Sequence, residues 1–285
     1  RPHGHGRSDP RLAPAGAGMV GVLRSDPRYL AGLLDGDSSF SASSGRLHIS
    51  FENTYRPIIK DFAREFGPLR VKKKHQPGKP CYHIDIPTTW HIALLQAVGQ
   101  YMRIKHRQVA LALSPPQSRD VFHRRMRKAN QTFHSGRRGQ SRMHPAYLAG
   151  LFDADGSLSI RGSALCVVVT NCDFDVLRGL DQQFHGGVYL SENANQRREI
   201  RRFVATGPNA AHILRVMAPH VRIKRRQVKL GLRFWTVEES RTRRQGVPVP
   251  ITTQVLHRRF QARMEALNNS WQHRQKKLAL TKSAF

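Results

Sequence analysis

Two acidic pairs dominate the chemistry of this sequence, Asp35-x-Asp37 and Asp153-x-Asp155. Each lies in a twelve-residue phrase, Tyr29-Leu-Ala-Gly-Leu-Leu-Asp-Gly-Asp-Ser-Ser-Phe40 and Tyr147-Leu-Ala-Gly-Leu-Phe-Asp-Ala-Asp-Gly-Ser-Leu158, and the two phrases stand 118 residues apart. Ala31, Gly32 and Gly36, echoed by Ala149, Gly150 and Ala154, fall at or near four-residue spacing. They form a flat strip where two helices can meet with their backbones almost touching. Packing the phrases there sets Asp37 beside Asp155 at the helix C-termini. The helix end is already negative and each carboxylate repels the other, a conflict that a divalent cation removes. A calcium loop is excluded, because the twelfth position from Asp153 is Ala164 where a glutamate is required. An acidic pair repeated in a chain of net charge +29 suggests an active site built on a nucleic-acid-binding surface.

The elements that must position these acids are themselves repeated. Asn53-Thr54-Tyr55 answers to Asn171-Cys172-Asp173 at the same offset. The apolar sets Ile58, Ile59, Phe62, Phe66 and Val176, Leu177, Leu180, Phe184 share one helical pattern. Arg103-Ile-Lys-His-Arg-Gln-Val matches Arg222-Ile-Lys-Arg-Arg-Gln-Val at an offset of 119, and Val121-Phe-His-Arg-Arg-Met126 resembles Val255-Leu-His-Arg-Arg-Phe260 at 134. The chain reads as a tandem duplication whose second copy gained about fifteen residues around Arg241 to Thr253.

Within each half the hydrophobic period changes in a fixed order. Asp26 or a neighbour caps a helix through about Leu34. Phe40, Ala42, Leu47, Ile49 and Phe51 then alternate around a turn at Gly45, which leaves polar residues on the opposite face. A helix follows, with Pro57 in its first turn and Gly67 past its end. Leu69 and Val71 alternate with Arg70, Lys72 and Lys74. After a turn at Gln76 to Lys79, Tyr82, Ile84 and Ile86 alternate with Cys81, His83 and Asp85. A long helical region runs from Thr88 to Leu113. Each half is therefore helix, hairpin, helix, hairpin, helix, an α+β class with an antiparallel sheet covered by helices on its apolar face.

The other face of the first sheet is expected to present Ser41, Ser43, Arg46, His48, Ser50, Arg70, Lys72, Lys74, His83 and Asp85. In the second copy the same exposure falls to Ser159, Arg161, Ser163, Thr170, Tyr189, Ser191, Asn193, Arg198, Arg201 and Arg202. Side by side, such sheets form one long groove able to enter a major groove about 12 Å wide and to contact DNA or RNA.

At 285 residues and 39% hydrophobic the chain can bury a sizeable core. We expect a flexible basic segment at residues 1–27, a first half at 28–133, a linker at 134–146, a second half at 147–270 and a basic tail at 271–285. Met19 is a candidate natural start within the first segment. The leader is Arg-rich and acid-poor, but it lacks the amphipathic helix of an organellar transit peptide. No apolar run approaches the ~20 residues that span a bilayer, so no membrane partner is expected. Cys81, Cys166 and Cys172 lack zinc-ligand spacing and read as thiols of a reducing compartment.

Leu30 to Ser38 and Leu148 to Gly156 resemble the defining motif of the LAGLIDADG homing endonucleases in their single-chain, two-motif form, and the resemblance covers Arg28 to about Asn269. It implies a pseudo-twofold αββαββα duplication with a saddle of two antiparallel DNA-binding sheets, and staggered double-strand cleavage leaving 3′ overhangs. By position, Asp37 and Asp155 become the catalytic, metal-binding acids, Asp35 and Asp153 the structural ones, and Lys105 and Lys224 the basic residues near the active site. Tyr55 and Asp173 take a place where the family often has a polar active-site residue, Asp173 being the better match.

Such an assembly suits phosphodiester hydrolysis by divalent ions, with Mg²⁺ expected, held by carboxylate, phosphate and water oxygens. Ser38 departs from the glycine at Gly156, and a positive φ there would strain it. Double-stranded DNA is the expected partner, with host intron RNA a second one if the fold serves as a maturase. A DNA-binding regulator without cleavage is the other alternative. Both motifs lie in one chain, so a monomer without an obligate protein partner is expected. If the frame belongs to an organellar intron, the compartment is chloroplast or mitochondrion.

Overall fold

The computed structural model describes residues 24–43, 45–67, 69–75, 80–116, 118–132, 134–191, 199–240 and 249–269, with the backbone alone at 73–75 and 80. Asn193, Arg198, the side chain of Lys74, the turn at 76–79, the segment 271–285 and most of both the leader and the insertion thus lie outside the described residues.

The first copy runs α1 (Pro27–Asp37), β1 (Ser38–Ser43), β2 (Arg46–Asn53), α2 (Arg56–Phe66), β3 (Val71–His75), β4 (Pro80–Asp85), α3 (Thr88–Val98), α4 (His106–Leu113) and α5 (Arg119–Asn130). A short α6 (Arg137–Gln140) precedes the second copy. That copy runs α7 (Pro145–Asp155), β5 (Gly156–Arg161), β6 (Ala164–Asn171), α8 (Phe174–Phe184), β7 (Gly187–Leu190), β8 (Arg201–Thr206), α9 (Gly207–Met217), α10 (Arg225–Glu239) and α11 (Ile251–Asn268). The repeated unit is αββαββα, with two helices appended to each copy.

The sheets have the orders β1-β2-β4-β3 and β5-β6-β8-β7, antiparallel throughout. Proline in the first turn opens both motif helices. The Asp26 carboxylate accepts from the Arg28 amide at 2.8 Å, and His144 Nδ1 from the Ala146 amide at 3.2 Å. The helix α1 extends to Asp37, three residues beyond the expected end, so the second acid sits on its last turn. Burial alternates along β1, β2, β5 and β6 as the hydrophobic pattern requires. Phe51 of β2 stacks on Phe62 of α2 at 4.6 Å, and one apolar cluster continues through α1 and α7 into both halves. The last helix of each copy closes the edge of its sheet: the Asn130 amide donates to Phe40 O at 2.7 Å and the Asn268 amide to Leu158 O at 2.9 Å.

One expectation is corrected, and two others gain detail. The helical region from Thr88 to Leu113 is broken at 99–105, where the amides of Arg103, Ile104 and Lys105 turn onto the Asp35 carboxylate instead of an intrahelical carbonyl. Val71 faces the helix side but lies on the edge strand β3 and stays 43% exposed. The segment between the copies is docked on both. Ser135 Oγ donates to Asp173 Oδ1 at 2.9 Å, the Gly136 amide to Asp175 Oδ2 at 2.8 Å, and the Arg138 guanidinium to the carbonyls of Gly99 and Gln100. No helix among the described residues is long and apolar enough to cross a membrane.

Candidate active site

The motif helices touch through their glycines. A Cβ on Gly32 would lie 2.0 Å from Tyr147 O, and one on Gly150 would lie 2.0 Å from Tyr29 O. Only glycine allows this approach, and the reciprocity makes α1 and α7 equivalent about the contact. Their last turns meet as well, since a Cβ on Gly36 would lie 2.3 Å from Ala154 Cβ and 3.1 Å from Asp155 Oδ2.

Below the tips, two buried networks lock the helices in place. Asp35 Oδ2 accepts from Tyr147 Oη at 2.8 Å and from the amides of Arg103 and Ile104 at 2.7 and 3.2 Å, while Oδ1 accepts from the Lys105 amide at 2.9 Å. Asp153 accepts likewise from Tyr29 Oη at 2.9 Å and from the amides of Arg222, Ile223 and Lys224 at 2.8, 3.0 and 2.9 Å. Each acid is thus bonded to the tyrosine of the opposite motif. Burial and the partner carboxylate push both phenols above the usual range, so they remain donors. Arg103 lies over the Tyr147 ring at 5.1 Å and Arg222 over Tyr29 at 4.6 Å.

Lys105 and Lys224 follow these amides and fold back as caps. Lys105 Nζ donates to Leu34 O at 2.8 Å and Asp35 O at 2.5 Å, and Lys224 Nζ to Phe152 O at 2.8 Å and Asp153 O at 2.5 Å. Two ammonium groups therefore satisfy the carbonyls that end the motif helices and offset the negative dipole behind the acids. Burial lowers the Lys105 pKa, against the pull of Asp35, Asp155 and Asp37.

At the tips, Asp37 Oδ2 accepts from Asn53 Nδ2 at 2.5 Å and Asp155 Oδ2 from Asn171 Nδ2 at 2.7 Å. Burial, then the Asp155 charge, push the Asp37 carboxyl up to about 7 against the Asn53 amide and both lysines. Burial also raises the Asp155 pKa against the Asn171 amide and the same lysines. The asparagines were visible in the sequence only as members of the repeat and were assigned no chemistry there. The neighbouring Asp173 is instead the N-cap of α8, 1% exposed and accepting from the Val176 amide and from Ser135 Oγ. Tyr55, at the start of α2, is 38% exposed.

The Ser38 expectation is also corrected. Ser38 has φ −97° and Gly156 φ −86°, both ordinary for any residue. Glycine at 156 has a different cause: a Cβ there would lie 2.1 Å from the Phe152 ring and 2.5 Å from the Phe152 carbonyl oxygen, whereas the first copy has Leu34 in that place. Ser38 Oγ instead donates to Leu34 O.

Register assigns the faces of the sheets. In the first, Ser41 opposes His48, Ser43 opposes Arg46, Ser50 opposes Asp85 and Lys72 opposes His83, all on the face away from the helices, with Arg70 just before β3. Glu52 joins them, opposite His83. His83 bonds Glu52 Oε1 at 2.7 Å and Asp85 Oδ1 at 3.0 Å, and Lys72 Nζ donates to Asp85 Oδ2 at 3.3 Å. The Asp85 pKa is lowered, the upward push of burial being outweighed by these His83 and Lys72 contacts.

In the second sheet Ser159, Arg161, Thr170, Arg202 and Tyr189 share the corresponding face, Ser163 lies in the β5–β6 turn and Ser191 just beyond β7. Arg201 does not belong with them. Consecutive strand residues point to opposite faces, and Arg201 lies on the helix side, 4.1 Å over the Phe174 ring and bonded to Glu199.

The paired aspartates offer hard oxygen donors suited to a divalent cation such as Mg²⁺. No group of three or more His, Cys, Asp or Glu that could hold a metal gathers among the described residues. A cation here would therefore draw its remaining oxygens from phosphate and water.

No protein-family model matches the sequence, and no curated protein does. The fold, however, is that of the single-chain LAGLIDADG homing endonucleases. The LAGLIDADG meganuclease I-AabMI bound to uncleaved DNA matches with a TM-score of 0.56 at 14% identity, covering 83% of this chain and 98% of that one. I-GzeII in complex with its DNA target matches at 0.57 with 12% identity, covering 83% and 97%. I-SmaMI bound to an uncleaved DNA target in the presence of calcium ions matches at 0.54 with 13% identity, covering 84% and 99%.

Proposed function

We propose that the chain is a member of the LAGLIDADG homing endonuclease family, a monomeric, site-specific enzyme that makes a staggered double-strand cut with 3′ overhangs in a long DNA target. The observation that supports this most is one constellation built twice around the packed motif helices. It comprises a carboxylate, an asparagine amide bonded to it, and a lysine on the helix end behind it. Two strands of a duplex require two such centres. A divalent ion, Mg²⁺ in this reading, would when bound supply activation of the attacking water and neutralisation of the leaving oxygen. Asp37 and Asp155 would hold it, while Asn53 and Asn171 hold the carboxylates in one orientation and Lys105 and Lys224 fix the helix ends and temper the repulsion between the acids. The helix-free sheet faces hold the duplex through phosphates and base edges.

Retention of both acids favours a nuclease over a regulator that only binds DNA. The test is incubation with a pool of long duplexes, randomised or drawn from intron-flanking DNA, with and without Mg²⁺. Sequencing of the ends should show discrete cut sites with 3′ overhangs only when Mg²⁺ is present. Absence of cutting in every pool, with binding intact, contradicts the nuclease reading. Splicing of a host-intron transcript in parallel separates an RNA maturase.

A further inference from the structure

The two sheets present different chemistry at equivalent positions of their helix-free faces. In the first, Ser39, Ser50 and Asp85 lie side by side across β1, β2 and β4. The corresponding row of the second is Ser157, Val168 and Val204 across β5, β6 and β8. Two polar groups, one of them an anion bonded to His83 and Lys72, are thus replaced by two valines. The next row outward continues the contrast, with His48 opposing Ser41 in the first sheet and Cys166 opposing Ser159 in the second. Val168 and Val204 are half-buried although no helix among the described residues covers this face.

These valines sit among DNA-contacting candidates. Arg161 lies outward of them, and Arg202 lies one row toward the motif helices with a buried Nε that has no hydrogen-bond partner among the described residues. A valine pair between such cations, on a surface that holds a duplex major groove, has one complementary base feature. That feature is the C5-methyl of thymine, the sole apolar group the major groove displays.

We propose that Val168 and Val204 read thymine methyl groups, so that the half-site facing the second sheet is specified there by apolar contact while the equivalent step of the other half-site is read by the Ser50 and Asp85 oxygens. The inference rests on the endonuclease reading and adds to it which residues set the asymmetry of the target. Each methyl buried against the pair contributes about fourfold in affinity.

The experiment is selection of bound duplexes in Ca²⁺ from two randomised pools, one amplified with thymidine and one with deoxyuridine, which lacks the methyl. Wild-type protein and Val204→Asp are compared. The positions whose preference changes in Val204→Asp mark the bases under the second sheet. At those positions the wild type should enrich thymine several-fold from the first pool and lose that enrichment in the second, with the opposite half-site as internal control. Equal enrichment of thymine and uracil there, or enrichment of another base, overturns the proposal alone. Absence of sequence enrichment in both halves overturns the site-specific reading beneath it.

Discussion

Position 156 shows how a local difference between the copies follows from one neighbour. The Phe152 ring and carbonyl oxygen occupy the space that a Cβ on residue 156 would need, while in the first copy Ser38 stands four residues after Leu34 and donates its Oγ to the Leu34 carbonyl. Gly156→Ala should therefore cost roughly 1–3 kcal/mol through overpacking, and Phe152→Leu in the same chain should recover only the part due to the ring, because the approach to the residue 152 carbonyl remains. Thermal melting of the two single variants and the double variant checks this, and additive losses would contradict it. From sequence alone a glycine beside a serine reads as a question of backbone dihedral. The structure shows instead a ring and a carbonyl four residues away, whose placement no spacing reveals. Asp37 carries a second prediction at this scale. Its carboxyl titrates near 7 in the folded protein and about three units lower in the unfolded chain, so the native state binds the extra proton between those values. Stability should fall as pH rises from about 4 to about 7 and then level off. In EDTA, Asp37→Asn should melt higher than wild type at pH 8 and the same at pH 4; a difference independent of pH would contradict the assignment.

Among the elements, everything depends on the contact of α1 with α7. A side chain at residue 32 would overlap the Tyr147 carbonyl and the Leu151 amide, neither of which can move without parting the helices. Gly32→Val should therefore destabilise the protein by at least ~3 kcal/mol and abolish cleavage, whereas Ser39→Ala on the open face should be near neutral in stability. Denaturant unfolding separates the two outcomes, and a folded, fully active Gly32→Val would show that the helices do not meet there. This contact was legible in the sequence, because small residues at four-residue spacing in two copies have few other uses. The break between α3 and α4 was not. It exists because three amides at 103–105 turn onto Asp35, a partner almost seventy residues away, while the apolar period continues across the gap. Alternation placed the sheet faces correctly wherever strand limits were sharp. It failed at Arg201 and Arg202, adjacent residues assigned to one face, of which only Arg202 points away from the helices.

For the molecule as a whole, charge sets how DNA is held. With net charge +29 and basic side chains on both sheets, ~6 to 10 phosphates should be neutralised, giving a slope of about −5 to −9 in a plot of log affinity against log salt. Fluorescence anisotropy on a fixed duplex measures it, and a nearly flat line would place the basic faces away from the DNA. One chain already contains both acids and both supporting networks, so sedimentation should give a monomer that binds one duplex. The central claim is that Asp37 and Asp155 are the paired catalytic centre. It is tested most directly by cutting a target labelled separately on each strand, at saturating protein with Mg²⁺, using wild type, Asp37→Asn and Asp155→Asn. Both variants should still bind the target in Ca²⁺, and in EDTA should bind it at least as tightly as wild type, since each removes a negative charge near the phosphates that no cation then offsets. Both should lose double-strand cleavage by a hundredfold or more, with the two strands affected unequally and in opposite order. Double-strand cutting at the wild-type rate by either variant would contradict the account.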